Sequence, residues 1–372
     1  MTAEGIPTEH ETASDAIVVG GSLAGLMTAL SLARAGAHVT VVERSTAKRR
    51  SGAALAVDGR ELERALGADA AAAVLRTVDP DGYRSAVTPA TWEAVHAGLT
   101  TAVGINPLIS IQYDTRIVKV GQDNDEAWVI DEQNTQHRAS LLIGADGHRS
   151  VVRRHVDSEH PDAAFAGYVL WLGIANERDV RVPIWPTSLD IVSSGDDLLL
   201  GYPLPGQDGF SHPGSRRLGW AWYDATQNDV FRAVGSVVGN VVHHSLFGSD
   251  IPEPVRMQLR HRAEQAWETP WSDAIRACLD RADVTATPIA EYLPERLVRD
   301  RVGLVGDAAH VPTPMTGRGF AEALRDATEL GRATQQHADP RAALMEYERR
   351  RLQPARDLVM SGQSFSGRFG RP

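Results

Sequence analysis

Several features are scarce in this sequence, and each scarcity closes off a class of protein. There is one cysteine, Cys278, so no disulfide framework and no paired-thiol redox or zinc motif can form. No HExxH, Cys/His cluster or Ser-His-Asp signature occurs, so neither a metal nor a protein nucleophile is called for. No stretch of roughly eighteen apolar residues appears, which gives no support for a membrane span. Met1 to Ser14 is polar and acidic and lacks the basic start and apolar core of a signal, so a cytoplasmic protein is the default expectation. Positive charge is also short, at 38 Lys and Arg against 48 Asp and Glu for a net charge of −10. A phosphate-backbone partner such as nucleic acid is therefore not expected. A bound nucleotide stays open, because such sites use backbone amides and helix ends rather than net charge.

The 372 residues, 42% hydrophobic and 23% charged, suit one large or two closely packed domains. Ala16–Val19 reads as a buried strand and Leu23–Ala35 as a helix closed by Gly36. His38–Val42 follows as a second strand, completing a βαβ unit. Helices are expected over Arg60–Leu75 and Trp92–Val103. Short strands are expected at Ile109–Gln112, Arg116–Val120, Ala127–Ile130 and Leu141–Ile143. Between Gly167 and Asp224 lie Trp171, Trp185, Trp220 and Trp222 among turn clusters, which suggests an antiparallel sheet. Glu253–Asp280 reads as helical, Val302–Val305 as a returning strand, and Phe320–Ala333 and Arg341–Gly362 as closing helices.

The turn Val18-Val19-Gly20-Gly21-Ser22-Leu23-Ala24-Gly25 carries the first chemistry. A dinucleotide turn needs Gly for the tight bend, a small residue where the pyrophosphate approaches, and Gly for close helix–strand packing. Gly20, Ser22 and Gly25 take these roles, and the helix start at Leu23 and Ala24 directs free N–H groups and its dipole at the phosphates. Glu43, ending the second strand, is placed to accept from ribose hydroxyls. Alone, this turn indicates a dinucleotide without saying which.

Two more motifs follow, Gly144-Ala145-Asp146-Gly147-His148-Arg149-Ser150-Val151-Val152-Arg153 and Gly306-Asp307-Ala308-Ala309-His310, the latter leading to Pro314, Gly317 and Gly319. With the three in this order, the sequence resembles the class A flavoprotein monooxygenases, the para-hydroxybenzoate hydroxylase-like aromatic hydroxylases, over essentially its whole length. The Gly-Gly-Ser turn and the run Arg216–Tyr223 look most like the dihydroxypyridine hydroxylase branch, with urate and hydroxynicotinate hydroxylases as relatives. The resemblance implies an α/β fold: a Rossmann-like FAD-binding domain over residues 1–165 and 289–372, ending in C-terminal helices, with an antiparallel β-sheet substrate domain inserted over 166–288.

The resemblance further implies FAD as cofactor and NADH or NADPH as a transient electron donor. It implies hydroxylation of a small phenolic or N-heteroaromatic ring by O2 through a flavin C4a-hydroperoxide, in a monomer or homodimer. Asp307 would accept from the ribityl hydroxyls, and Pro314 to Gly319, Arg318 included, would face the flavin's pyrimidine edge. Asp146 and Arg153 would tie the pyrophosphate region to the nicotinamide route. Val118 joins the cofactor set. Trp92 stands where many members carry a phosphate-contacting Arg, which leaves Arg44 or Arg50 to supply that charge, and Ala321 stands where an Asn is common. For the substrate, Trp220, Trp222, His212, Pro312 and Met315 are candidates, with Tyr223, His310 and Tyr202 as candidate bases or donors. Each Trp could instead pack the core, and His310 could be structural. Two other readings stay open: a flavin-dependent halogenase, and a relative that keeps FAD without redox chemistry as a cyclase or binding protein.

Overall fold

The computed structural model describes residues 15–45, 54–80, 87–182 and 184–369. Arg50 and the polar N-terminal stretch lie outside the described residues. The chain opens β1 (Ala16–Val19), α1 (Leu23–Arg34), β2 (Val39–Val42), β3 (Ala54–Asp58), α2 (Gly59–Leu66), α3 (Ala68–Val78), β4 (Val87–Thr91), α4 (Trp92–Gly104) and β5 (Ile109–Gln112). Next come β6 (Ile117–Gln122), β7 (Ala127–Asp131), β8 (Gln136–Ala139), β9 (Leu141–Gly144) and α5 (Val151–Val156). The middle of the chain holds β10 (Ala164–Asn176), β11 (Asp190–Ser194), β12 (Asp197–Leu204), β13 (Arg217–Asp224) and α6 (Asn228–Ala233). It continues with the two-residue strands β14 (Val237–Val238), β15 (Val241–Val242) and β16 (Leu246–Phe247), then α7 (Glu253–Ala266), α8 (Trp271–Asp280) and β17 (Val284–Glu291). The chain closes with β18 (Val298–Arg299), β19 (Val302–Leu304), α9 (Gly319–Gln336) and α10 (Pro340–Phe369).

β1, β2, β9 and β19 are buried along their whole length and apolar but for Thr40 in β2, the pattern of parallel strands covered on both faces. They join β5 in a sheet of order β18-β19-β9-β1-β2-β5, parallel except for β18. Side chains of α1, α5, α9 and α10 pack into the same core. The glycine turn after β1, the Asp146 turn after β9 and the Asp307 turn after β19 therefore sit at the carboxyl ends of three adjacent strands. In open α/β sheets that is where ligands bind.

The second sheet is antiparallel, with β11-β12-β13-β10 in order and β17 on the far side of β10. Register assigns its two faces. Trp222 pairs with Trp171 and Leu199, and Trp220 with Gly173 and Gly201, so these side chains share one face. Tyr223 pairs with Leu170 and Leu198, and Gly219 with Ile174 and Tyr202, on the other. Glycine makes room where rings cross the sheet: a Cβ on Gly173 would lie 2.5 Å from the Trp220 ring, and one on Gly219 would lie 2.0 Å from Tyr202.

The expected helix over Arg60–Leu75 is two helices, α2 and α3. Gly67, at φ +86°, breaks it in a conformation that L side chains avoid. The expected helix over Glu253–Asp280 also divides, at Trp267, whose extended backbone ends α7 ahead of Pro270. The ribbon β3–β4 pairs segments about thirty residues apart, a contact that short-range periodicity does not reveal. Among the described residues no helix is long and apolar enough to cross a membrane.

Candidate active site

The glycine turn is built for close approach. Gly20 has φ +109°, and a Cβ on Gly25 would sit 1.8 Å from the Gly20 carbonyl oxygen, so α1 and the turn touch through backbone alone. Ser22 is the N-cap of α1 but makes no side-chain cap bond. Its hydroxyl and the first N–H groups of the helix, at Leu23 and Ala24, are thus available to an anion. Glu43 is buried, with Oε2 accepting from the Gly21 amide at 2.7 Å and Oε1 from the Ser45 amide at 3.0 Å. From α4, His96 Nε2 lies 3.1 Å from the Gly21 carbonyl oxygen and stacks on Trp92 at 4.7 Å. Sequence reasoning does not single out His96, although its i, i+4 spacing from Trp92 puts both on one helix face. Arg44 is exposed beside Glu43. Val118 is 53% exposed on β6, in the three-stranded meander.

Asp146 caps α5 rather than standing free. It accepts from Ser150 Oγ at 2.5 Å and the Val151 amide at 2.7 Å. Burial raises its pKa, outweighing the lowering by these bonds. Arg153 is wholly buried and spends its donors on carbonyl oxygens: Pro161 at 2.7 Å, Asp307 at 3.2 Å, Ala308 at 3.1 Å, and His148. Its guanidinium also lies over the Tyr292 ring at 4.2 Å. Arg153 therefore staples the second motif to the third.

Asp307 itself is exposed, and its carboxylate has no hydrogen-bond partner among the described residues. It lines a cavity of about 250 Å³ with His148, Ile289, Pro312, Thr313, Pro314 and Gly319, among others. The loop between them turns through Pro314–Thr316 and Gly317, at φ +60°, and leads past the exposed Arg318 into α9. His310 does not face this cavity. It is 1% exposed, with Nε2 at 2.8 Å from Asp326, which also takes Arg351 Nε at 2.7 Å and the Gly306 amide at 2.9 Å. Burial pushes the His310 imidazole down, but Asp326 outweighs that and holds it above its ordinary range. It is a structural ion-pair member that ties the Asp307 turn to α9 and α10, not a base.

The two faces of the second sheet sort the remaining candidates. Trp220 and Trp222 point away from the loop 312–319, the flavin loop of the expected site, into a core shared with α7 and α8. There Trp222 meets Trp267 edge-on at 5.7 Å and Trp220 Nε1 lies 3.4 Å from Cys278 Sγ. They are core residues, which corrects their expected place at the substrate. Trp222→Ala should cost about 3–5 kcal/mol of stability, read from the denaturant midpoint, and leave the absorbance spectrum of bound flavin unchanged. His212 is exposed in the β12–β13 loop, stacked on Phe210 at 5.5 Å. The opposite face is apolar: Leu170, Leu198, Ala221 and Ile289, with Tyr168 and Tyr223, pack with Met315 of the flavin loop and Phe365 and Phe369 of α10. Tyr202 lies on the same face near the Ala54 amide; burial pushes its phenol up to about 12. Burial, with Tyr168 and Tyr202 beside it, also raises the Tyr223 phenol well above its ordinary range. No group bonds the Tyr223 hydroxyl among the described residues.

A glycine cradle at a helix start, an acid at the end of β2 and an unpartnered carboxylate at Asp307 fit a dinucleotide laid across three strand ends. The model for the FAD binding domain family matches residues 13–91 and 99–361. The chain belongs to this family. The flavoprotein is 29% identical over 355 residues, 90% of its length and 86% of the relative's, to 2,6-dihydroxypyridine 3-monooxygenase of Paenarthrobacter nicotinovorans. It is 30% identical over 257 residues to an FAD-dependent urate hydroxylase of Klebsiella pneumoniae, covering 68% of this chain and 58% of that protein. Its fold matches the structure of 2,6-dihydroxypyridine-3-hydroxylase from Arthrobacter nicotinovorans with a TM-score of 0.78 at 24% identity, over 96% of this chain and 93% of that one. The flavoprotein thus shares the fold of the class A flavin monooxygenases. Gly20, Ser22, Leu23, Ala24, Gly25, Glu43 and Asp307 are the residues here that fit FAD.

Proposed function

We propose that this flavoprotein hydroxylates a small phenolic or N-heteroaromatic ring with O2, drawing electrons from NADH or NADPH. The carrying observation is the face of the second sheet that meets the flavin loop. It is apolar, closed by Met315, Phe365 and Phe369, and offers an unbonded phenol at Tyr223. Bound FAD supplies the electron transfer and the oxygen activation. The chain's own residues bind the ring, exclude water and manage its proton. Ile289 of this face lines the cavity with Asp307 and Pro312, and Leu170, Leu198, Ala221 and Met315 pack with it as a dry apolar layer. Tyr223, neutral across the working pH range by burial, donates to a ring oxygen and gains strength there as that oxygen takes on negative charge. Pro312 lines the cavity beside Asp307 and restricts the loop where the ring would approach. A substrate built like dihydroxypyridine or urate, planar and oxygen-bearing, suits such a wall. Both relatives named above carry such rings in their names.

The test is NADH and NADPH oxidation by the FAD-loaded protein on adding 2,6-dihydroxypyridine, uric acid or simple phenols, with product mass read in parallel. Substrate-stimulated oxidation and a product heavier by one oxygen atom are expected, and Tyr223→Phe should lower kcat about 100-fold. Flavin that no member of the panel causes NADH or NADPH to reduce faster would overturn the reading.

A further inference from the structure

This inference rests on the function proposed above, in which a ring hydroxyl loses its proton. Glu291, at the end of β17, is 8% exposed, and no cation pairs with it among the described residues. Burying a carboxyl is costly unless it is bonded. Ser366 Oγ on α10 donates to its Oε1 at 2.5 Å. The Tyr168 hydroxyl on β10 lies 3.3 Å from Ser366 Oγ and bonds Thr313 Oγ1. Thr313 stands between Pro312 and Pro314 in the flavin loop and lines the same cavity as Asp307. Because Ser366 donates to the carboxylate, it accepts from Tyr168, and Tyr168 accepts from Thr313. All three hydroxyls point their hydrogens towards Glu291, and Thr313 Oγ1, on a fully buried residue, keeps an acceptor lone pair.

We propose that Thr313, Tyr168, Ser366 and Glu291 form a proton path by which the substrate's ring hydroxyl gives its proton to Glu291. The substrate O–H bond breaks, its proton joins Thr313 Oγ1, and each hydroxyl proton moves one oxygen along. Glu291 ends as the carboxylic acid and the substrate as a ring oxyanion, with total charge unchanged. Burial holds the Glu291 carboxyl above its ordinary range, against a lowering by Ser366, which brings it closer to a phenol. Burial likewise pushes the Tyr168 phenol to about 12, so Tyr168 passes protons rather than storing them. The groups facing the path are Tyr168 from β10, Ser366 from α10 and Thr313 from the loop. The Tyr223 and Phe369 rings flank Tyr168 at 5.9 and 6.0 Å and keep water from short-circuiting it. Glu291 is a positioning residue, acting through three hydroxyls.

The experiment follows ionisation of 4-nitrophenol on binding to the FAD-loaded full chain, by nitrophenolate absorbance across pH and by stopped flow. Glu291→Gln should slow ionisation of the bound probe about tenfold while leaving the pH at which it ionises the same or lower, because the amide removes both the acceptor and a negative charge, and Glu291→Asp should restore part of the rate. Tyr168→Phe and Ser366→Ala should leave the equilibrium near that of the native chain but slow ionisation about tenfold. A role confined to packing would move FAD retention and melting temperature without moving either ionisation readout. Variants that ionise the probe at the native rate overturn the path. If Glu291→Gln does not fold, Ser366→Ala decides alone, since it leaves the carboxyl and cuts the chain. Native protein that neither binds nor ionises 4-nitrophenol overturns the phenolic reading of the site, and the path with it.

Discussion

Replacing Gly25 with alanine is expected to leave a protein that retains less than about a tenth of its FAD and unfolds more easily, by about 3 kcal/mol. The added methyl would lie 1.8 Å from the Gly20 carbonyl oxygen and 3.4 Å from the Ala145 side chain. No rotamer exists to relieve the closest contact, because the Gly20 carbonyl is main chain. Either α1 withdraws from β1 or the turn opens, and each moves the N–H groups aimed at the pyrophosphate. Gly36→Ala is the control. Gly36 also has a positive φ, +94°, but nothing lies within 4 Å of its added Cβ. It should lose about 1–2 kcal/mol from backbone strain alone and keep its flavin. Absorbance ratios of the purified proteins and their denaturant midpoints separate the two effects. Equal FAD retention in both variants would contradict the close-packed turn.

The second large effect is expected at Asp307. Its carboxylate has no partner among the described residues, so Asp307→Ala removes nothing seen to hold the fold together. A charged hydrogen bond to a ligand hydroxyl contributes about 1.5–3 kcal/mol, so FAD affinity should fall roughly 10- to 100-fold while the melting temperature of the apoprotein stays unchanged. Flavin fluorescence on titration of the apoprotein reads the affinity directly. Asp307→Asn, which keeps one acceptor oxygen, should recover part of the loss. Full flavin occupancy in Asp307→Ala would remove Asp307 from the cofactor site. The contrast with Arg153 is useful, because its four carbonyl partners make any substitution there a folding defect first.

The three motifs are legible in the amino-acid sequence because each is local. A glycine turn, a capping aspartate and a strand-end aspartate are defined within a few residues, and the strands that lead into them are short apolar runs. Their order along the chain implies the cofactor, and the fold adds that they meet at neighbouring strand ends of one sheet. What each side chain does is less legible. Asp146 and Arg153 carry the motif's signature, yet Asp146 is spent capping α5 and Arg153 joins two loops more than 150 residues apart in sequence. His310 sits within the flavin motif, but its partner Asp326 and the neighbouring Arg351 arrive on separate helices.

Alternation along β13 establishes by itself that Trp220 and Trp222 share one face and that Tyr223 takes the other. A period of two carries no phase, so it cannot say which face meets the flavin loop. That is decided by α7 and α8 covering the tryptophan side and by Met315 and the end of α10 covering the tyrosine side. The same holds for Glu291, Ser366, Tyr168 and Thr313, which no spacing links. Their side chains meet only because β10, β17, the flavin loop and the last turns of α10 close on one point. Local backbone chemistry is written in consecutive residues, whereas a buried polar chain exists only where distant elements pack.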